Sequence, residues 1–106
     1  MRNDPYEPNN FEGRVNYAAR CISSGHIHGR NERIFDTCFE MWDGDQVAAA
    51  LVRRILLQPH SRLADKLFTV LDRERAMQHY EETKHLTRKQ LADAARDERA
   101  RREAAA

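Results

Sequence analysis

Four side chains that could bind a metal ion lie close together in the first part of the chain: Cys21, His26, His28 and Cys38. Thiolate sulfur and imidazole nitrogen are the ligands that tetrahedral Zn²⁺ prefers. The spacing lacks the C-x2-C and H-x3-H units that fix ligand geometry in zinc knuckles. Both cysteines also fall on or beside apolar helical stripes, where a thiol serves as a small core residue. We therefore predict no bound metal and no cofactor, and keep a small zinc-stabilised module as an alternative.

Catalytic groups are equally sparse in the sequence. A Cys–His nucleophile pair drawn from the same residues has no recognisable orienting group or oxyanion donor. Glu82 and His85 form a Glu-x-x-His unit, but di-iron bundles use two such units and two further carboxylates. The four glycines are too far apart to form a phosphate-binding loop. These observations predict that the protein is not an enzyme.

Basic residues near the C-terminus give a clearer pattern. A helix beginning near Arg88 places five of them on one face: Arg88, Lys89, Arg96, Arg99 and Arg102. The planar guanidinium fork binds carboxylates and phosphates alike. The formal net charge is only +1, whereas phosphate recognition usually leaves a larger basic excess. We expect this basic stripe to bind a protein partner, with a nucleic acid as the alternative.

Aromatic residues supply a second candidate for partner binding. Phe35, Phe39 and Trp42 repeat at helical spacing, with Met41 beside them. A chain with few large apolar residues needs such side chains in its core. An exposed Trp42 would instead be the best protein-binding anchor in the chain, so Trp42 joins the candidate partner-binding residues.

The segment Leu-Thr-Arg-Lys-Gln-Leu-Ala at residues 86–92 resembles the start of the first helix in phage-repressor-type helix-turn-helix domains. In that family, a short turn and a DNA-reading helix follow. Here residues 93–98 continue the helical pattern without a turn. The resemblance covers seven residues and lacks the half of the motif that reads bases.

Length and composition limit the protein to one modest domain. It has 106 residues, and its 29 apolar side chains larger than alanine lie mainly between Phe11 and Leu91. No apolar run approaches the roughly 18 residues of a transmembrane helix, so no membrane contact is predicted. Two cysteines and no export signal indicate a cytoplasmic protein with free thiols.

Apolar spacing predicts helices throughout the chain. Asn9 or Asn10 is expected to cap the first helix, and the segment Ser23-Ser24-Gly25 to end it. Gly44 is expected to be the C-cap of the helix over residues 34–42, and Asp45 the N-cap of the helix over residues 46–57. Thr87 and Gln90 form a capping box for the last helix. The predicted elements are an extended segment over residues 1–9 and helices over residues 10–22, 34–42, 46–57, 61–84 (with a bend allowed at residues 72–75) and from 88 onward.

The predicted fold is all-α: a small bundle of about four packed helices over residues 10–86, with a charged C-terminal helical extension over residues 87–106. After Leu91 the last helix has no large apolar residue, so we expect it to project from the domain. Truncation after Leu91 is then expected to cost no more than about 1 kcal/mol.

The expected function follows from this organisation. We expect a small non-enzymatic binding protein that regulates or inhibits a protein partner, as accessory proteins of phages and mobile elements often do. Whether it forms a homo-oligomer stays open.

Overall fold

The computed structural model describes Tyr6, residues 10–25 and residues 44–105. Within these ranges the chain forms five α-helices and no strand, which confirms the all-α prediction. The predicted extended segment (apart from Tyr6), the predicted helix over residues 34–42 and Trp42 lie outside the described residues. The helices are α1 (Phe11–Ser24), α2 (Gly44–Leu57), α3 (Arg62–Val70), α4 (Arg73–Thr83) and α5 (Arg88–Ala105).

Both ends of α1 are set by local side-chain and backbone chemistry. Asn10 is extended, and its Oδ1 accepts a hydrogen bond from the backbone N–H of Gly13 at 2.7 Å. This bond satisfies one of the amide groups that lack a partner in the first turn. At the other end Gly25 adopts a left-handed conformation with φ of 73°, which glycine adopts without steric strain. The predicted cap and stop of this helix are both confirmed.

The capping box of the last helix also forms as predicted. The backbone N–H of Gln90 donates to Thr87 Oγ1 at 3.1 Å, and the N–H of Thr87 donates to Gln90 Oε1 at 2.9 Å. Ser61 caps α3 in a similar way, because its Oγ accepts from the N–H of Ala64. These helix starts are encoded by residues within one turn of each boundary.

The start of α2 differs from the prediction. Gly44 is the first residue of the helix rather than a preceding C-cap, and Asp45 lies in the first turn rather than at the N-cap. A carboxylate in the first turn interacts favourably with the positive end of the helix dipole. The Asp45 carboxylate is also held by α4, because it accepts from Arg75 at 2.9 Å and lies 3.2 Å from His79 Nε2.

The predicted helix over residues 61–84 is divided into two. Leu71 is extended, and the Asp72 side chain accepts a hydrogen bond from the N–H of Arg75 at 3.2 Å. Asp72 therefore caps a new helix, α4, inside the polar stretch where a bend was allowed. Since residues 72–75 carry no large apolar side chain, a continuous helix would gain no burial there.

Helix α2 is the centre of the bundle. It packs against the four other described helices, most extensively against α4. Its last turn extends beyond the core, since Leu56 and Leu57 are 56% and 83% exposed. The large side chains that are fully buried are Val15, Ile22, Val47, Leu51, Val52, Leu67 and Leu91.

The last helix is docked rather than projecting over its first half. Leu91 and Ala95 are both completely buried, and α5 packs against α1 and α2. An alanine has no bulk to hold two helices apart, so Ala95 permits close approach and is itself removed from water. The expected projection is therefore wrong for this part of α5, whereas residues 100–105 are exposed.

Candidate partner-binding surfaces

The basic stripe begins with a contact that joins two helices. Arg88 Nε donates to Glu12 Oε1 at 2.8 Å, and Arg88 Nη2 donates to Glu12 Oε2 at 2.7 Å. This bidentate geometry is the strongest arrangement of an arginine and a carboxylate. Both side chains stay largely exposed, so the pair aligns α1 and α5 while adding little stability.

The remaining arginines of the stripe have acidic partners within α5. Lys89 is exposed and forms no salt bridge with the described residues. Arginine–carboxylate pairs within one helix are worth only about 0.3–0.5 kcal/mol, so contacts with a partner surface can replace them. The contacts are Arg96–Asp93 at 3.5 Å, Arg99–Glu103 at 3.3 Å and Arg102–Glu98 at 2.6 Å.

The stripe is therefore a surface of mixed charge. Helix α5 carries six basic and four acidic residues, and three of the acidic ones, Asp93, Glu98 and Glu103, pair with arginines. Such alternation suits a protein surface that presents both signs of charge. Sequence spacing placed the five basic residues on one face, but it did not reveal Glu12, which comes from another helix.

A groove of about 320 Å³ between α1 and α5 brings Arg96 and Arg99 together. Its wall includes Arg14, which is only 4% exposed, and Glu12. A buried guanidinium requires compensating interactions, and Arg14 is not without one. No pattern in the sequence indicates that Arg14 is buried, because a single charged residue within a helix usually points to solvent.

A second concave surface, which we name the arginine groove, lies between α1, the end of α2 and the start of α3. Its volume is about 490 Å³, and Arg20, Arg54 and Arg62 line it. Arg20 stacks on Tyr6, with its guanidinium carbon 5.0 Å from the ring centroid. Arg54 donates a hydrogen bond to Asn16 Oδ1.

Arg54 is the partly buried positive charge of the arginine groove. Burial lowers the pKa of its guanidinium, the positive charge of Arg88 lowers it further, and Glu12 acts in the opposite direction. Glu12 Oε2 lies 4.0 Å from Arg54 Nη2, but this carboxylate already holds Arg88. The charge of Arg54 is therefore only partly balanced. Neighbouring Arg53 has a structural task instead, because it donates to the backbone carbonyl of Thr83 at the end of α4.

Of the four candidate zinc ligands, only Cys21 lies within the described residues. It is 7% exposed. Burial raises the pKa of its thiol, against smaller opposite effects of a hydrogen bond with Tyr17 and the charge of Arg20. A raised pKa disfavours the thiolate that binds metals or attacks substrates. Within residues 10–25 and 44–105, no three His, Cys, Asp or Glu side chains are grouped closely enough to hold a metal ion. His26, His28 and Cys38 lie outside these ranges, so the zinc alternative stays untested.

Comparison of the chain with models of protein families, with curated protein sequences and with solved structures finds no match in any of the three. None of the helices in the described ranges combines the length and apolar character needed to cross a bilayer. The function must therefore be inferred from the residues themselves.

Proposed function

We propose that this is a small, non-enzymatic helical protein that binds a protein partner through α5 and thereby regulates or inhibits it. The observation that supports this proposal is the division of α5: Leu91 and Ala95 fix the helix to the core, while residues 100–105 are helical and exposed. Fixed at one end, the helix presents the charged side chains next to its docked part in a defined register.

The exposed part of α5, residues 100–105, has no large apolar side chain to bury against the described helices. Isolated helices of this length are marginal in water, and pairs such as Arg102–Glu98 contribute only tenths of a kcal/mol. A partner that contacts this part of the helix would supply the missing packing. We therefore expect the partner to bind residues 99–105 and the neighbouring basic stripe.

Charge favours a protein over a nucleic acid as the partner. Arg88, Arg96, Arg99 and Arg102 each lie within 4 Å of a carboxylate. A phosphate backbone would be repelled by those carboxylates, whereas a protein surface with both signs of charge can bond to both. Nucleic-acid binding is the competing function, and it depends on the same basic residues.

Site-specific crosslinking tests which surface meets a partner. A photo-crosslinking residue at exposed Ala100 is compared with one at exposed Gln78 on α4, in extracts of the native host. We expect one specific protein adduct from position 100 and none from position 78. An adduct formed equally from both positions, or only from position 78, would contradict the proposal.

The identified partner is then purified, and its affinity is measured against two matched double variants. Arg99→Glu with Arg102→Glu should weaken binding at least about tenfold, since it reverses two contacts at the interface. Arg73→Glu with Lys84→Glu changes the net charge equally, at the first residue of α4 and at its C-cap, and should leave affinity within about twofold. Equal loss in both variants would indicate a general charge effect.

The nucleic-acid alternative requires its own measurement. Fluorescence anisotropy with labelled duplex DNA and single-stranded RNA at about 50 mM salt should show no binding. Binding that falls steeply with salt, and that Arg88→Gln and Arg96→Gln weaken, would replace the protein partner with a nucleic acid.

We also propose a cytoplasmic location, because Cys21 is a free thiol and free thiols persist in reducing compartments. We further propose that this protein is an accessory protein of a phage or mobile element. Identification of its partner in an extract of the native host tests that origin.

A further inference from the structure

The arginine groove brings together three positively charged side chains, and none of them belongs to α5, the helix of the proposed partner surface. Arg20 comes from α1, Arg54 from the last turn of α2 and Arg62 from the first position of α3. None of the described residues that line the groove is acidic. Neither Arg20 nor Arg62 forms a salt bridge with the described residues, in contrast to the arginines of the basic stripe. We propose that this groove binds a small phosphorylated molecule through its phosphate group.

The start of α3 adds to the positive potential of the groove. Arg62 and Leu63, the first two residues of this nine-residue helix, line the wall. Backbone N–H groups in the first turn of a helix have no partner within the helix, and the dipole favours an anion there. Ser61 Oγ takes up only the N–H of Ala64. The two N–H groups before it stay available to a phosphate oxygen.

Two of the three guanidinium groups are held in place by neighbouring side chains. Arg54 bonds to Asn16, and Arg20 is stacked against the ring of Tyr6. Stacking fixes the plane of a guanidinium while leaving its edge N–H groups free to bind an anion. The entropy lost when a phosphate is bound is smaller when its ligands are already ordered.

Two negative features near the groove are engaged by other groups. Glu12, whose Oε2 lies 4.0 Å from Arg54 Nη2, holds Arg88 through both of its oxygens. The C-terminal end of α1, where the helix dipole is negative, is opposed by the ammonium group of Lys66 beside Gly25. A bound dianion would therefore complete the charge balance of the half-buried Arg54, which Glu12 balances only in part.

The size and polarity of the groove indicate a ligand larger than a bare anion. Its volume of about 490 Å³ lies in the range of small-molecule sites, about 300–1,000 Å³. Asn16, Ser23 and Gln58 line the same cavity and can bond to hydroxyl groups. A phosphate monoester of a polar molecule, such as a sugar phosphate, fits both features.

The test is a titration with inorganic phosphate and with glucose 6-phosphate, followed through the backbone amide NMR signals of Arg62 and Leu63 at constant ionic strength. We expect saturable shifts at both amides and tighter binding of glucose 6-phosphate. Acetate at the same ionic strength should bind at least about tenfold more weakly, because it offers fewer oxygens and less charge.

Three single variants locate the site. Arg20→Gln and Arg62→Gln alter exposed side chains, so the fold should persist, and each should weaken glucose 6-phosphate binding about tenfold. Arg101→Gln removes the same charge from the far part of α5 and should change affinity less than twofold. Absence of saturable binding, preference for acetate, or equal loss in all three variants would each overturn the proposal. Because α5 is unchanged in the first two variants, the result is independent of the partner proposed for that helix.

Discussion

The two halves of α5 are built from the same kinds of residue but hold different positions in the molecule. Residues 88–98 pack against α1 and α2 through Leu91 and Ala95, whereas residues 100–105 are exposed. Both halves consist mainly of alanine and charged residues. The difference shows that alanine can be either a core residue or a spacer, depending only on whether another helix is within reach.

The sharpest way to break this comparison is to place a carboxylate in each half. Ala95→Glu introduces a charged side chain where the native residue is fully buried, and we expect it to lower the free energy of unfolding by about 3 kcal/mol or more. Ala100→Glu lies on the exposed half and should change it by less than about 0.5 kcal/mol. Urea unfolding followed by circular dichroism measures both. Similar values for the two variants would contradict the docking of Ala95.

Truncation tests the same division on a larger scale. Removal of all residues after Leu91 deletes buried Ala95 and exposes the face of α2 that it covers. We now expect a loss of about 2 kcal/mol, more than the sequence alone suggested. Removal of all residues after Arg99 deletes only exposed positions and should cost less than about 0.5 kcal/mol. Chemical denaturation of both truncated proteins measures the two losses. Equal small losses would show that α5 projects from the domain along its whole length.

These two expectations show what the sequence could and could not predict. The caps at Asn10, Ser61 and Thr87 were predictable, because each depends on side chains within three or four residues of the helix start. The docking of α5 was not, since an alanine has too little hydrophobic area to produce an apolar stripe. Only the arrangement of α1 and α2 shows that Ala95 is covered.

Of the two candidate surfaces, the basic stripe could be predicted from the sequence and the arginine groove could not. The basic stripe belongs to one helix, so its spacing alone places Arg88, Arg96 and Arg99 on one face. The arginine groove combines side chains from three segments, and no local pattern relates Arg20 to Arg54. The predicted Trp42 anchor and the zinc alternative depend on residues outside the described ranges and stay predictions.

A smaller effect separates the polar contacts of the two halves. Glu98 accepts a hydrogen bond from Gln46 on α2 at 2.6 Å. Glu103 instead accepts a hydrogen bond from Arg99, which lies on the same helix. Gln46 Oε1 is already buried without a partner among the described residues, so Glu98→Ala would leave the whole amide group unsatisfied. We expect Glu98→Ala to cost about 1–2 kcal/mol and Glu103→Ala about 0.3 kcal/mol. Thermal unfolding of the two variants provides the measurement, and a larger effect at Glu103 would reverse the assignment.

Hydrogen exchange of the free protein, measured by mass spectrometry across α5, tests the division of this helix most directly. Amides of residues 92–98 should exchange at least about 100-fold more slowly than in an unfolded chain, and amides of residues 102–105 close to the unfolded rate. Equal protection of both parts would show that the outer half is packed, as in a dimer. Equal lack of protection would show that the whole helix projects from the domain.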